Sequence, residues 1–395
     1  MRHHRAKVGI VFLIVFIDLV GFGIVIPFLP LYAEKFGPSP VAFGLLMASF
    51  SAMQFVFAPI LGRLSDRYGR RPVLLLSLAG SVAGYLLFAF AGSLAMLFAS
   101  RIVDGISGGN ISTAQAVIAD ITDQRDRTRG MGVIGAAFGL GFICGPALAG
   151  LLVGIAHWLP GAAAATTSAI AFALVLVVLP ETRREQSDAG APRRDRRVGS
   201  LRRAVGYPLV GACLAIAFLV IFAFSNFETT FAQLLRLRFA MSMSSVAWMF
   251  VYAGVLGALV QGFLVGRLAQ RFGEARLIAV GGAIAATAGG ALPFAGSVGR
   301  LLLVLAALAL GHGLLAPPLS AFTSSLVPSD EVGGVMGAFQ SVASLARIFG
   351  PFWAEWVYGA SGPAAPYLSA AAAYILSVVV IAAARGGAVA STPRV

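Results

Sequence analysis

Apolar residues run along this chain in blocks of about twenty, the length that spans a bilayer core. Charged, Gly or Pro residues bound each block. Such runs occur near 8–30, 41–61, 73–91, 94–118, 131–156 and 161–180, and again, after a polar stretch, near 208–232, 245–266, 276–296, 300–322, 333–357 and 364–384. Twenty residues of helix rise about 30 Å, the thickness of a bilayer's hydrocarbon core. Only helices and closed barrels satisfy their backbone in lipid, and a barrel would show shorter segments of alternating polarity. The pattern predicts an all-α integral membrane protein of twelve transmembrane helices. They fall into an N-terminal bundle over 1–180, a cytoplasmic linker over 181–205, and a C-terminal bundle over 206–395.

Composition agrees. Of the 395 residues 58% are hydrophobic and 11% charged, against roughly 25% charged in a soluble domain. That excess is too large for one water-soluble core, so lipid is a partner along the whole length. The first run continues past twenty residues without a small-residue cleavage site, which makes it a span rather than a removable signal. Cys144 and Cys213 both sit in apolar runs, so no disulfide framework or metal site is expected. The net charge of +13 is scattered among loops rather than gathered on one face, which argues against nucleic acid.

The basic residues set the orientation. With the N-terminus inside, 23 Lys and Arg fall in cytoplasmic segments and 4 in the opposite loops, namely Lys35, Arg236, Arg238 and Arg300. Short cytoplasmic loops retain such charge. Both termini are therefore expected in the cytoplasm of a cell whose inner (plasma) membrane holds the chain. The linker, ETRREQSDAGAPRRDRRVGSLRRAV, carries eight Arg and no apolar periodicity.

The chain repeats itself. GRLSDRYGRRPVL at 62–74 recurs as GRLAQRFGEARLI at 266–278, and Gly145-Pro146 recurs as Gly350-Pro351, so two landmarks give offsets of 204 and 205. Two six-helix halves of like orientation are the build of transporters that rock one half against the other. In the first copy Gly62 and Gly69 are expected to allow a tight turn, and Asp66 is the lone acid among four Arg. In the second, Gln270 replaces the acid, so any latch is one-sided. Gly135, Gly139, Gly141 and Gly145 stand at the spacing that brings helices close in lipid, and Pro146 weakens the local ladder.

At these residues the sequence resembles the major facilitator superfamily, and within it the drug:proton antiporter branch. GRLSDRYGRRP is similar to the family's loop signature, and Arg101 followed by Gly105 to its fourth-span signature. GAAFGLGFICGPALAG at 135–150 is similar to the antiporter pattern, with Ala149 where Gly is usual. Asp18, Gly21 and Pro27 resemble the tetracycline-efflux group. The resemblance implies a latch made by Gly62, Asp66, Arg67, Gly69 and Arg70 at the cytoplasmic ends. It implies a seam helix carrying Gly135, Gly139, Gly141, Gly145 and Pro146, which governs leakage. It further implies a small-molecule substrate, protons as the driving partner and no cofactor. Tetracycline pumps also carry an acid in the third span, where Gly84 precedes Tyr85 here, a His in the eighth and an acid in the ninth. This chain has no charge or His within 245–266 or 277–296, so a more apolar or cationic compound is expected.

Charges at membrane depth cost about 2.5–3.5 kcal/mol each and are functional candidates. Asp18 lies roughly 15 Å into its span, and Asp104 at similar depth, three residues beyond Arg101 on one helix face. Desolvation favours a neutral acid and a guanidinium favours a carboxylate, so the three together permit titration. Asp18 is expected to carry the proton, Arg101 to modulate it, and Asp104 to pair with the Arg or serve as second site. A permanent ion pair between two helices is the structural alternative. In the second half Glu228 is placed near the outer interface, with Asn226 half a turn deeper and Arg347 facing them. These three, with Tyr85, are candidate substrate contacts, while His312 is expected to find only a structural partner.

The sequence thus points to a monomeric, proton-coupled exporter of hydrophobic or amphipathic molecules. A symporter or uniporter would have the same fold. A remote reading as a membrane serine hydrolase rests on Gly105-Ile106-Ser107-Gly108 with His312 as base.

Overall fold

The computed structural model describes residues 2–108, 113–114, 117, 127–181, 208–328 and 332–390. Among these every regular element is helical. The first half holds α1 (Arg2–Ala33), α2 (Pro40–Tyr68), α3 (Arg70–Ala89), α4 (Leu94–Ile106), α5 (Arg127–Val153) and α6 (Leu159–Val178). The second half holds α7 (Pro208–Phe239), α8 (Met243–Phe272, with a π-helical stretch at Val260–Val265), α9 (Glu274–Ala291), α10 (Val298–Ser325), α11 (Val332–Ser361) and α12 (Ala365–Ala390). All twelve apolar runs therefore carry helix. The end of the fourth run and the linker beyond Glu181 lie outside the described residues.

Nine of the described helices are long and apolar enough to cross a bilayer by themselves. Of the other three, α4 is described over 13 residues only. The 30-residue α11 is diluted by Gln340, Ser341, Ser344, Arg347 and Glu355. Large apolar side chains face outward, with Val177 81% and Leu303 73% exposed, as a lipid-facing surface requires.

The described residues form two compact units, one of 1–187 with 235–254 and one of 188–234 with 255–395. In the first, α1 packs on α5 and α6, α3 on α4 and α6, and α2 on α4. In the second, α9 packs on α10 and α12. These contacts are made by small residues, because lipid tails solvate large apolar groups as well as protein does and only close backbone approach gains packing. A Cβ on Gly145 would lie 2.5 Å from the Gly23 carbonyl carbon, and one on Gly141 would lie 2.8 Å from Leu19 Cβ. The α9–α10 crossing repeats the device, with Gly281 facing Gly311.

Helix ends repeat as well. Gly69 (φ 108°, ψ 158°) and Gly273 (φ 80°, ψ 151°) separate α2 from α3 and α8 from α9 at the 204-residue offset. Their amides donate to Ser65 O and Ala269 O, themselves 204 apart. Ser93 and Ser297 cap α4 and α10 by accepting from Met96 N (3.2 Å) and Arg300 N (3.3 Å). The second half therefore repeats the caps of the first as well as its hydrophobic runs.

Two expectations are corrected. Gly62 makes no turn: α2 continues to Tyr68, and Gly69 alone takes the positive φ. The carbonyls before Gly62 keep their helical partners, so a single Gly does not end the helix. The seventh span is longer than its apolar run, because Leu234 to Phe239 continue as helix with Arg236 and Arg238 in its last turn. Glu228 is thereby eleven residues, about 16 Å, from the far end. It is a mid-helix residue, not an interfacial one.

Replacing Gly145 by Val should overpack the α1–α5 crossing and lower the apparent unfolding temperature of detergent-purified protein, by the equivalent of about 1–3 kcal/mol. Gly257→Ala, at a site with open space around it, should leave the melt unchanged or slightly raised.

Candidate functional site

The first unit buries three charges at the middle of its helices. Asp18 of α1 is 7% exposed, and Arg101 and Asp104 of α4 are each 2% exposed. Asp18 is sixteen residues from the start of α1 and fifteen from its end, so its carboxylate cannot reach water along its own helix. Its Oδ1 accepts a 3.1 Å hydrogen bond from Ser168 Oγ of α6.

Arg101 and Asp104 form an ion pair of 3.3 Å one helical turn apart. The guanidinium carbon lies 5.7 Å from the Tyr85 ring centroid and 5.5 Å from that of Phe88, both on α3, so a cation–π contact replaces part of its hydration. Arg101 Nη2 also donates to Ser100 Oγ at 3.3 Å. The pair is not saturated: Arg101 Nε and Asp104 Oδ2 are buried without a hydrogen-bond partner. Ser81 and Tyr85 stand beside Asp104, and Asp18 and Asp104 act on each other electrostatically. Two acids, one Arg and the hydroxyls of Ser81, Tyr85, Ser100 and Ser168 are thus buried together.

The backbone makes room for this. A Cβ on Gly84 would lie 2.9 Å from Asp104 Cβ and 3.2 Å from Ser100 O, so the absent side chain is what lets α4 bring Asp104 against α3. Gly21 does the same for α1, since a Cβ there would meet Thr167 Oγ1 of α6 at 2.7 Å and Tyr85 at 3.3 Å. The sequence shows Gly84 as a missing acid; the structure shows Asp104 packed on that position. Tyr85 is 2% exposed, so it belongs to the charged cluster rather than to an open wall.

In the second unit Glu228 of α7 and Arg347 of α11 are the charges that act on each other. Arg347 Nη2 also reaches Ser344 Oγ at 3.4 Å. Asn226 is fully buried and already engaged: Nδ2 donates to Phe222 O at 2.7 Å, and Oδ1 accepts from Ser369 Oγ of α12 at 3.5 Å. It joins helices rather than presenting a free amide. His312 stacks on Phe224 (4.7 Å, 24°), with Tyr374 Oη 3.4 Å from Nδ1. Ser107 Oγ donates to Val103 O at 2.9 Å, an ordinary helical hydroxyl.

Sequence reasoning gave no role to two acids, Glu355 near the outer end of the eleventh span and Glu181 at the start of the linker. Buried Glu355 of α11 accepts from Gln233 Nε2 of α7 at 3.2 Å. Glu181, just after α6, accepts from Arg70 N (2.8 Å) and Arg71 N (3.1 Å) with its two oxygens, capping α3. The signal was legible: α3 opens on two Arg and no acid, an unfavourable arrangement for a helix dipole. At the equivalent place α9 opens on its own Glu274. Arg70 Nη1 donates to Ser65 Oγ at 3.0 Å and Arg71 Nη2 to Leu176 O at 2.6 Å. Arg67 lies over the Tyr68 ring at 5.2 Å. The side chain of Asp66 lies outside the described residues, as do the surroundings of Gly135 and Gly139. Pro146 is buried within α5.

Gly84→Ala should destabilise the first unit through Asp104, and Asp104→Gly should absorb part of that loss. In a double-mutant cycle read by thermal melts, the two changes should couple by about 0.5–3 kcal/mol. Additive effects would mean that the two positions do not press on each other.

The family model described as Major Facilitator Superfamily matches residues 11–351, and a second match covers 213–393. The tetracycline resistance protein of class G from Vibrio anguillarum is 35% identical over 363 residues, 91% of this chain and 92% of that protein. The class C protein from Escherichia coli is 35% identical over 348 residues, 87% and 88% of the two chains. Among solved structures, the human organic anion transporter MFSD10 (TETRAN) superposes with a TM-score of 0.73 at 28% identity, covering 96% of this chain and 99% of that one. A bacterial homologue of the lysosomal transporter Spinster has the same fold, with a TM-score of 0.75 at 16% identity, covering 97% and 95%. The chain is a multi-pass membrane transporter, not an enzyme, and it belongs to the Major Facilitator Superfamily.

Proposed function

We propose that this transporter exports small hydrophobic or amphipathic compounds in exchange for protons, by alternating access. It works as a monomer in the inner membrane with both termini in the cytoplasm, and uses no cofactor. Bundles at 1–180 and 206–395, joined by a linker at 181–205, are the moving parts. The observation that carries this reading is the buried Asp18–Arg101–Asp104 cluster, which holds two acids and one base away from water with Arg101 Nε lacking any hydrogen-bond partner. A cluster built only for stability would be fully paired, since an unsatisfied buried polar atom costs about 1–3 kcal/mol.

Asp18 carries the proton. When it is ionised, Arg101 has two carboxylates to serve and one guanidinium to divide between them. When it is neutral, Arg101 belongs to Asp104 alone. Protonation therefore changes where the guanidinium is held, and with it the contacts among α1, α3 and α4. The names of the tetracycline resistance relatives support export of a drug. Within the second unit Glu228 and Arg347, with Asn226 as support, form the polar part of the substrate contacts, and Tyr85 contributes from the charged cluster of the first unit. The second-half pair offers one acid and one base, suited to a zwitterion or a cation. Gly62, Asp66, Arg67, Gly69 and Arg70 form the cytoplasmic latch. The helix with Gly135, Gly139, Gly141, Gly145 and Pro146 seals the path.

Growth of a pump-deficient bacterial host across a compound panel that includes tetracycline and lipophilic cations tests the reading. Expression of the wild type should raise the inhibitory concentration of at least one compound fourfold or more, and Asp18→Asn should return it to the vector level at equal membrane abundance. Proteoliposome uptake of that compound should stop when the pH gradient is collapsed. Protection that survives both Asp18→Asn and collapse of the gradient would overturn proton exchange and favour a uniporter.

A further inference from the structure

The buried polar groups of the second unit do not end with Glu228 and Arg347. Four oxygen-bearing side chains meet near the ends of α7, α11 and α12 that the basic residues avoid. Glu355 lies six residues before the end of α11, and Thr230 and Gln233 lie nine and six before the end of α7. Tyr367 is the third residue of α12. Thr230 and Gln233, three apart, share one face of their helix. Gln233 Nε2 donates to Glu355 Oε1 at 3.2 Å, and the Tyr367 hydroxyl has Thr230 beside it and the Glu355 carboxylate within electrostatic reach. Glu355, Thr230 and Tyr367 are 2%, 0% and 1% exposed.

Hydrogen bonding in this cluster is one-sided. Gln233 gives an N–H to the carboxylate, and Thr230 Oγ1 gives its proton to Asn226 O at 2.9 Å. Gln233 Oε1 and Tyr367 Oη are buried with no hydrogen-bond partner among the described residues. Donors are therefore mostly committed, while lone pairs on the amide, threonine and phenol oxygens remain. The repeat shows that folding does not demand such a cluster. At offsets of 205, 204 and 205 residues Glu355 corresponds to Gly150, Gln233 to Leu29 and Tyr367 to Ala162, so the first half has no polar side chain at the same three places.

We propose that Glu355, Gln233, Thr230 and Tyr367 bind a monovalent metal cation of the sodium class, which ties these ends of α7, α11 and α12 together. All the available ligands are oxygens, the preference of a hard cation, and the site needs no thiolate or imidazole. One carboxylate calls for one positive charge; a divalent ion would leave an excess charge out of water. A water molecule brings as many lone pairs as protons, whereas a cation takes lone pairs only. An acceptor-rich enclosure therefore selects the cation. The site is separate from the export reading, since neither a drug nor Asp18 takes part in it.

Thermal unfolding of the detergent-purified full chain, in chloride salts of sodium, lithium, potassium and N-methylglucamine at equal ionic strength, tests the site. Sodium should raise the unfolding temperature by about 2–4 °C over N-methylglucamine, with a saturable dependence on its concentration. Glu355→Gln should abolish the difference between salts, and Asp18→Asn should keep it. Should Glu355→Gln not fold, Tyr367→Phe, which keeps the ring and removes the oxygen, should raise the half-saturating sodium concentration about two- to tenfold. Radioactive sodium should bind the wild type in a scintillation proximity assay and compete with unlabelled sodium. Equal melts in all four salts would leave water as the occupant and overturn the cation. A melt that rises with acid but ignores sodium would assign the site to a proton and overturn it as well. So would a sodium shift that survives Glu355→Gln, is lost in Asp18→Asn, or keeps its half-saturation in Tyr367→Phe. None of these readouts needs a transported compound, so a failed drug panel would reject the export reading without touching this one.

Discussion

The site depends on a guanidinium buried in lipid. Arg101 is 2% exposed, enclosed among the helices of the first unit. A permanent cation in a hydrocarbon medium must be surrounded by anions, aromatic faces and dipoles, or the helix would not insert. Asp104, Tyr85, Phe88 and Ser100 supply those. Their placement in turn dictates which helices meet: α4 must lie against α3, which requires glycine at 84. Asp18 arrives from α1, held by Ser168 of α6, and α1 can come that close only because Gly21 and Gly23 carry no side chains. The glycines are thus part of the electrostatics, since each removes a methyl group that would otherwise hold a charged partner out of reach.

Much of this was legible in the sequence. Twelve apolar runs became helices because lipid leaves the backbone no other open-chain solution. Depth counted along α1 and α4 placed Asp18 and Asp104 together, and the helical repeat paired Arg101 with Asp104. Other features were hidden for stated reasons. Apolarity marks where a helix is in lipid and not where it stops, so the Leu234–Phe239 extension of α7 was lost and Glu228 was put too near the surface. Gly62 looked like a turn because glycine is permitted there, whereas positive φ was required only at Gly69. Two Arg and no acid at the start of α3 show that its first turn wants an anion, but that Glu181 supplies it depends on a contact across 111 residues. Tyr85 and Asn226 were chosen as polar residues in apolar spans, and both prove to be committed to neighbours, Arg101 and Ser369. A polar residue in lipid must find a partner, and the partner is as often structural as functional.

The repeat shows where the two halves were free to diverge. Caps and glycine turns are kept at the 204-residue offset, Ser93 with Ser297 and Gly69 with Gly273. These are conditions for folding: each half needs its helix ends satisfied within its own chain segment. Charges are kept only in part: Arg63 and Arg67 recur as Arg267 and Arg271, but others diverge. Arg70 corresponds to Glu274, Asp66 to Gln270, and the buried Asp18 to Phe222. Where α3 begins with Arg, Glu181 has to be brought from the end of α6; where α9 begins with Glu274 no such import is needed. The α3 end is thus held by a contact that can be released, and the α9 end by a residue of its own first turn.

That asymmetry bears on how one carboxylate can command a whole transporter. If both halves held titratable clusters of equal size, a proton could bind either, and its arrival would not specify a direction of movement. Here the buried Asp18, Arg101 and Asp104 lie in the first unit, while the second holds Glu228 acting on Arg347 and, apart from them, the buried Glu355 hydrogen-bonded to Gln233. A proton reaching Asp18 changes a group with two acids and one cation from net negative to neutral. A proton reaching Glu228 would instead leave Arg347 unopposed in lipid, the costlier outcome by the same desolvation argument. On the proposed reading the proton enters through the first half, and the second-half pair is left for a ligand that brings its own charges. The buried arginines do differ in company: Arg101 is ion-paired to Asp104 and lies over the rings of Tyr85 and Phe88, whereas Arg347 meets Glu228 and Ser344.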